Sequence, residues 1–243
     1  MSDDSFWRAL ETHRGQLFIR TMRRLPHGPR CAVCGAPYHG IGGRIVRPFG
    51  FAPSRKNPRL CMQCFEKVPE DGRPMDVGVL FADVRGFTAL SEQRPPGEVA
   101  AMLNRFYEAT VEVLCRHAIV DKLVGDEVMG LYLPLLFGEE IGEHMVQDAR
   151  DLQQAAGREL DIGIGLDYGP AFVGNVGSGE VKDFTAIGDV VNTASRLQGV
   201  AGAGEVVLSE RVCAIAGGVP AGAVERTFEL KGKAAPERAH VLG

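Results

Sequence analysis

The chain has 243 residues, 45% hydrophobic and 24% charged, a balance that fits a globular protein and excludes a disordered or fibrous one. No apolar run nears the roughly 18 residues that a membrane helix needs, and the polar start, with Asp3 and Asp4, lacks a secretory core; a cytoplasmic protein is expected. The net charge of −4 is unevenly spread: residues 1–75 hold 13 Lys/Arg against 6 Asp/Glu, and residues 76–243 hold 14 against 25. Such asymmetry suggests two parts with different partners, the basic part meeting nucleic acid, an anionic membrane or the protein's own acidic body. The last is preferred, and no nucleic-acid partner is expected.

Residues 6–25 read as one amphipathic helix, with Trp7, Leu10, Leu17, Phe18 and Met22 near one face and Arg8, Arg14, Arg20, Arg23 and Arg24 interspersed. Packing on the protein itself or on a partner subunit is preferred to peripheral contact with a membrane. Pro26 and Pro29 end the helix. Cys31-x-x-Cys34 and Cys61-x-x-Cys64 follow, 26 residues apart. Two such knuckles place four thiolates around one tetrahedral ion, and the Gly- and Pro-rich chain between them has little core of its own and needs a staple. Structural Zn²⁺ is expected in preference to an iron–sulfur centre, a redox switch or unliganded thiols. Cys115 and Cys213 read as buried thiols. A turn at residues 70–74 separates this module from the rest. The organisation expected is a basic helix over residues 1–30, a four-cysteine module over 31–74 and a catalytic domain over 75–243.

Residues 75–84 form a continuous apolar run ending at Asp83, the pattern of a strand buried on both faces. Residues 97–117 show helical spacing. Residues 119–124 and 128–133 read as two strands joined by a tight turn at Gly125-Asp126. A helix over 139–156, strands over 160–166 and 171–176, a helix over 190–197 and short strands near Val206 and Phe228 complete the reading. The order β-α-β-β-α-β is that of an α+β, ferredoxin-like core. In that topology the first strand lies beside the central hairpin, so Asp83 and Asp126 converge. Two such carboxylates repel unless cations sit between them, and Mg²⁺ suits such a site when substrate phosphates complete its shell.

Three clusters occur in order: Phe81-Ala82-Asp83-Val84-Arg85-Gly86-Phe87-Thr88, then Asp121-Lys122-Leu123-Val124-Gly125-Asp126, then Phe184-Thr185-Ala186-Ile187-Gly188-Asp189-Val190-Val191-Asn192-Thr193-Ala194-Ser195-Arg196. With them, and with the closing Leu230-Lys231-Gly232-Lys233, the chain from Met75 onward resembles the catalytic domain of class III adenylate and guanylate cyclases. The resemblance implies that Asp83, Asp126 and the Val84 carbonyl hold two Mg²⁺ or Mn²⁺ ions per active site. It implies that Asn192 orients the ribose and Arg196 offsets charge at the α-phosphoryl group, and that Gly86, Phe87 and Thr88 meet the terminal phosphates. Lys122 and Thr185 would read the base. A lysine donates to a ring nitrogen of adenine and a threonine hydroxyl accepts from its exocyclic amine; Thr185 stands where aspartate is commoner, as in a lysine/threonine subgroup. The family builds its site between two chains, and this chain carries both halves, so a head-to-tail homodimer is implied. The expected activity is conversion of ATP to 3′,5′-cyclic AMP and pyrophosphate. The alternatives are a guanylate cyclase, a silent cyclase-fold regulator with a metal- or redox-sensing N-terminal module, or a binding protein whose function lies in the basic, cysteine-bearing module, recognised by salt-sensitive binding of residues 1–74 to DNA, RNA or anionic lipid.

Overall fold

The computed structural model describes residues 5–25, 29–31, 33–54, 60–67, 72–138, 140–156, 160–178 and 181–243. Asp3, Asp4, Pro26, Pro58 and Glu139, and Glu70 and Asp71 of the expected turn, lie outside them. The chain divides into two compact units. One comprises Met1–Met75 with Phe172–Ile187, the other Asp76–Ala171 with Gly188–Gly243.

The elements run as helices α1 (Ser5–Glu11), α2 (His13–Arg24), α3 (Gly40–Val46) and α4 (Met62–Lys67), strand β1 (Arg73–Val84), helices α5 (Phe87–Glu92) and α6 (Pro96–Leu114), and strands β2 (Ile119–Val124) and β3 (Glu127–Tyr132). Then come helices α7 (Pro134–Phe137) and α8 (Ile141–Ala156), strands β4 (Ile162–Ser178) and β5 (Val181–Ile187), helix α9 (Asp189–Val200), strand β6 (Val206–Ser209), helix α10 (Glu210–Ile215), and strands β7 (Val224–Phe228) and β8 (Glu237–Leu242). The strands join in the order β2-β3-β1-β4-β6-β8-β7, with β5 paired to β4. The segment β1-α6-β2-β3-α8-β4, with its strands ordered 2-3-1-4, is the expected ferredoxin-like core.

Apolar spacing explains the layers. α6 buries Met102, Phe106, Thr110, Val113 and Leu114, and α8 buries Met145, Ala149 and Leu152; both stripes join Leu80, Ala82 and Val84 of β1, Val128 and Tyr132 of β3, and Ile162, Ile164 and Leu166 of β4 in one core. Alternation along the strands sends the intervening residues to the other face. There, Leu197 of α9 packs with Val207, Leu230, Ala239 and Val241 in a second core. α9 sits very close to β4: a Cβ on Gly165 would lie 2.1 Å from the Gln198 amide nitrogen and 2.3 Å from the Ala194 carbonyl oxygen. Only glycine allows that approach.

A polar cluster lies beside the helical layer of the core. Asp148, buried on α8, accepts a hydrogen bond from the Tyr132 hydroxyl at 3.1 Å and lies 3.0 Å from His117 Nδ1. The His117 ring stacks on His144, with centroids 3.9 Å apart and planes 4° from parallel.

The structure departs from expectation in several places. Cys115, expected to be a buried thiol, is exposed just past the end of α6, whereas Cys213 is buried. Helices α3, α4 and α7 fall where none was expected. Residues 6–25 form two helices, broken where the Thr12 hydroxyl accepts from the Gly15 N–H and caps α2. The two strands expected over 160–176 are one 17-residue strand, because Gly169 and Pro170 lie within continuous extended backbone. β5 and β8 were not expected as strands.

In the other unit, Trp7 is fully buried against Phe184 of β5, with centroids 6.5 Å apart, and the Arg73 guanidinium lies 5.8 Å over its ring.

Candidate active site

Asp83 lies one residue before the end of β1 and is the direct cross-strand partner of Glu127 at the start of β3. Since Ala82, Val84 and Val128 point into the helical core, Asp83 and Glu127 share the opposite face. Asp126 occupies the β2–β3 turn. All three carboxylates are partly buried. Burial pushes the Asp83 carboxyl up from its usual range, Arg85 opposes that rise and Asp126 adds to it; burial, then Asp83 and Asp126, push Glu127 up. Carboxylates crowded in this way lower their mutual repulsion by taking up a hard cation, so the donor set fits the divalent ions that the sequence implies.

Arg85 supplies the nearest positive charge. Its guanidinium pairs with Asp83, its Nη1 donates to the Ala201 carbonyl at 3.3 Å, and its main-chain N–H donates to the Asp161 carbonyl at 2.7 Å. Val84 is buried at the strand end. Gly86, with φ of 68°, caps α5, and Phe87 packs against the core while Thr88 is exposed.

Lys122 owes its orientation to a bulge. In the β2–β3 ladder Val120 opposes Gly130, but Lys122 opposes Met129, so Asp121 is the extra residue. Without the bulge, with Asp121 paired in turn, the alternation from Val120, a core-facing side chain, would turn position 122 toward the helices. The bulge places Lys122 on the Asp83 and Glu127 face instead, exposed.

Asn192 and Arg196 lie four apart on α9, whose buried residues are Val190, Thr193, Ala194, Leu197 and Gln198. Asn192 is exposed and Arg196 half-buried. The loop after Leu230 closes over this helix: Gly232 lies against the Arg196 guanidinium, and Lys233 Nζ is 2.6 Å from Asp189 Oδ2. That bond, aided by the ammonium charge, holds the Asp189 carboxyl below its usual range. Thr185, in the other unit, is buried on β5 opposite Gly174 of β4.

The structure thus brings Asp83 and Asp126 together, and puts Asn192 and Arg196 on one helix. Residue reading missed Glu127, Arg85 and the Asp189–Lys233 pair. Glu127 carried a usable signal, since it stands before Val128 as Asp83 stands before Val84. The partner of Lys233 lies 44 residues away and left no local trace.

The four cysteines of the N-terminal module also converge. The Sγ atoms of Cys31, Cys34, Cys61 and Cys64 all lie within 4.8 Å of one another and all four residues are buried. Cys34 and Cys61 are 3.8 Å apart, against about 2.05 Å for a disulfide and roughly 3.8 Å across a tetrahedron with metal–sulfur bonds of about 2.3 Å. Each loop is turned for this purpose. Cys31 N–H donates to the Ala36 carbonyl at 2.9 Å and Gly35 N–H to the Cys31 carbonyl at 2.8 Å, with Gly35 in the left-handed region at φ 71°. The Cys61 N–H donates to Cys31 Sγ at 3.2 Å. Burial raises the Cys31 thiol, but hydrogen bonds from Cys34, Cys61 and Cys64 outweigh it and hold the group well below the usual range. A sulfur cluster of this shape, with one member favoured as thiolate, fits a four-coordinate metal.

Comparison with known proteins agrees with this architecture. The adenylate and guanylate cyclase catalytic domain matches residues 71–242. Adenylate cyclase 1 of Rhizobium meliloti is 34% identical over 137 residues, which are 51% of this chain and 21% of that protein. An uncharacterized protein of Mycobacterium tuberculosis, Rv1320c, is 32% identical over 161 residues, 65% of this chain and 27% of its own length. The chain spans roughly a quarter of the length of these relatives. In structure it is similar to the guanylyl cyclase Cya2, with a TM-score of 0.63 and 26% identity over 70% of this chain and 93% of that one. It is similar also to the adenylyl cyclase CyaB from P. aeruginosa, with a TM-score of 0.61 and 27% identity over 70% and 95%. This chain belongs to the family of adenylate and guanylate cyclase catalytic domains.

Proposed function

We propose that the chain is an adenylate cyclase, converting ATP to 3′,5′-cyclic AMP and pyrophosphate in a head-to-tail homodimer. The observation that carries this reading is Lys122, which the bulge at Asp121 turns to the carboxylate-bearing face of the sheet. A lysine there donates to an acceptor nitrogen of adenine; guanine presents donors at the corresponding edge and would call for a carboxylate.

In the reaction the ribose 3′ oxygen forms a bond to the α-phosphorus, the bond from that phosphorus to the bridging oxygen breaks, and the 3′ proton passes to solvent as pyrophosphate leaves. Asp83, Asp126 and the Val84 carbonyl would hold two Mg²⁺ or Mn²⁺ ions, which when bound activate the attacking oxygen and neutralise phosphate charge. Arg196 faces charge growing on the α-phosphoryl oxygens and Asn192 fixes the ribose, so both act most strongly in the transition state. Gly86, Phe87 and Thr88 meet the terminal phosphates, and Thr185 joins Lys122 at the base. Metal-binding and base-reading groups come from opposite chains, as the resemblance implies, so a monomer is nearly inactive. Zn²⁺ in the four-cysteine cluster has a structural role.

The test is product formation from ATP and from GTP with Mg²⁺ or Mn²⁺, for wild type and Asp83→Ala. Cyclic AMP from wild type alone supports the reading. Cyclic GMP as the main product replaces it with guanylate cyclase, and nucleotide binding without product replaces it with a silent regulator.

A further inference from the structure

The cysteine module carries a surface that cyclisation does not use. Residues 12–65 contain no Asp or Glu and ten Lys/Arg, where the average acidity of the chain would place about seven acids. Within this stretch α3 buries Gly42, Gly43 and Val46 and turns Ile41 and Ile45 outward, 72% and 56% exposed. The following 3₁₀ turn, Arg47–Phe49, adds Phe49, 69% exposed. Arg44 and Arg47, interleaved with them in sequence, are exposed too.

Large aliphatic side chains so exposed, four residues apart on one helix, mark a docking face. α3 is seated through Gly42, Gly43 and Val46, so Ile41 and Ile45 on its other side stay outside that packing. The chemistry of the face selects its partner. Phosphate-rich nucleic acid would satisfy the arginines but give isoleucines no apolar medium. A lipid surface satisfies both, with acyl chains for Ile41, Ile45 and Phe49 and anionic headgroups for Arg44 and Arg47. We infer that this face of the cysteine module binds an anionic lipid surface and holds the protein there peripherally.

The test is co-sedimentation of the full chain with vesicles of phosphatidylcholine alone and of phosphatidylcholine with phosphatidylglycerol in a ratio of about seven to three. The expected result is binding to the anionic vesicles that weakens with salt and falls roughly fivefold in Arg44→Gln. The double variant Ile41→Ser, Phe49→Ser should lose binding without any change in thermal melting, since both side chains are exposed. Absence of binding to anionic vesicles overturns the inference, as does undiminished binding by the double variant. A dimer that dissociates in the double variant without vesicles would assign the face to a second copy of the chain. Binding of duplex DNA in place of vesicles would assign it to nucleic acid.

Discussion

Asp83 and Glu127 stand directly opposite each other across the β1–β3 ladder, on the face turned away from α6 and α8. Like charges so placed disfavour the pair unless a cation is shared. Asp83→Asn or Asp126→Asn should lower kcat by about 10³-fold, because each removes a proposed metal ligand. Glu127→Gln removes charge beside the ligands and should cost roughly 10- to 100-fold in Mn²⁺ affinity. Calorimetric titration of Mn²⁺, alongside turnover, checks the ranking; wild-type affinity in Glu127→Gln would exclude that carboxylate from the site.

Lys122→Glu should exchange the preferred purine. A glutamate accepts from the guanine edge and repels the acceptor nitrogen of adenine, so the ATP/GTP ratio of kcat/KM should fall by about tenfold or more. Competing turnover of the two nucleotides measures it. An unchanged ratio would remove Lys122 from base recognition.

Gly165→Ala should move α9. The added methyl would lie 2.1 Å from a main-chain nitrogen that cannot swing aside, so the helix must lift, at a cost of about 1–3 kcal/mol. Stability by urea titration should fall by that amount, and activity should fall further because Asn192 and Arg196 travel with the helix.

His144 gives a pH dependence with a definite sign. Burial, and then the stacked His117, lower its pKa in the folded chain from the usual 6.5, while Asp148, Glu140 and Glu143 partly oppose them. A lowered value means that the folded state favours the neutral ring, so this contribution to stability is full above about pH 6.5 and declines as pH falls through the folded value. His144→Phe keeps an aromatic ring against His117 and removes the titration. The difference in unfolding free energy between wild type and His144→Phe should therefore shift against wild type between pH 7 and pH 5. A difference flat with pH would refute this. His117→Ala leaves the buried Asp148 with Tyr132 as its remaining described side-chain partner and should cost about 1.5–3 kcal/mol at pH 7.

Metal analysis of the purified chain should find one Zn²⁺ per chain, lost in Cys64→Ser. Because the described part of residues 12–65 buries few large apolar side chains beyond the cysteines, chelation should unfold this module before the catalytic unit melts. Two calorimetric transitions merging into one on zinc addition would be the signature.

The core was legible because its signals are local. Runs of buried aliphatics gave β1, the alternation of helix and strand gave the ferredoxin-like order, and the cysteine spacing gave the cluster. What the sequence hid depends on pairing. The bulge at Asp121 exists only relative to β3, and Asp121-Lys122 reads as ordinary strand without its partner. Arg85 reads as a loop cation until β1 is laid beside β4 and the carbonyl of Ala201 is brought up from 116 residues away. β4 was divided in reading because Gly169-Pro170 is a turn signal, which here the extended backbone absorbs.

The contact between Gly165 and α9 has a consequence for how this site varies among sequences. The height of Arg196 above the sheet is set by the lack of an atom, and the next step up is a whole methyl group. Such a position has no intermediate settings. Change in the reach of Arg196 is therefore expected through the loop around Gly232, where an added Cβ would lie 3.3 Å from the guanidinium, while position 165 stays glycine and acts as the fixed reference from which that loop is adjusted.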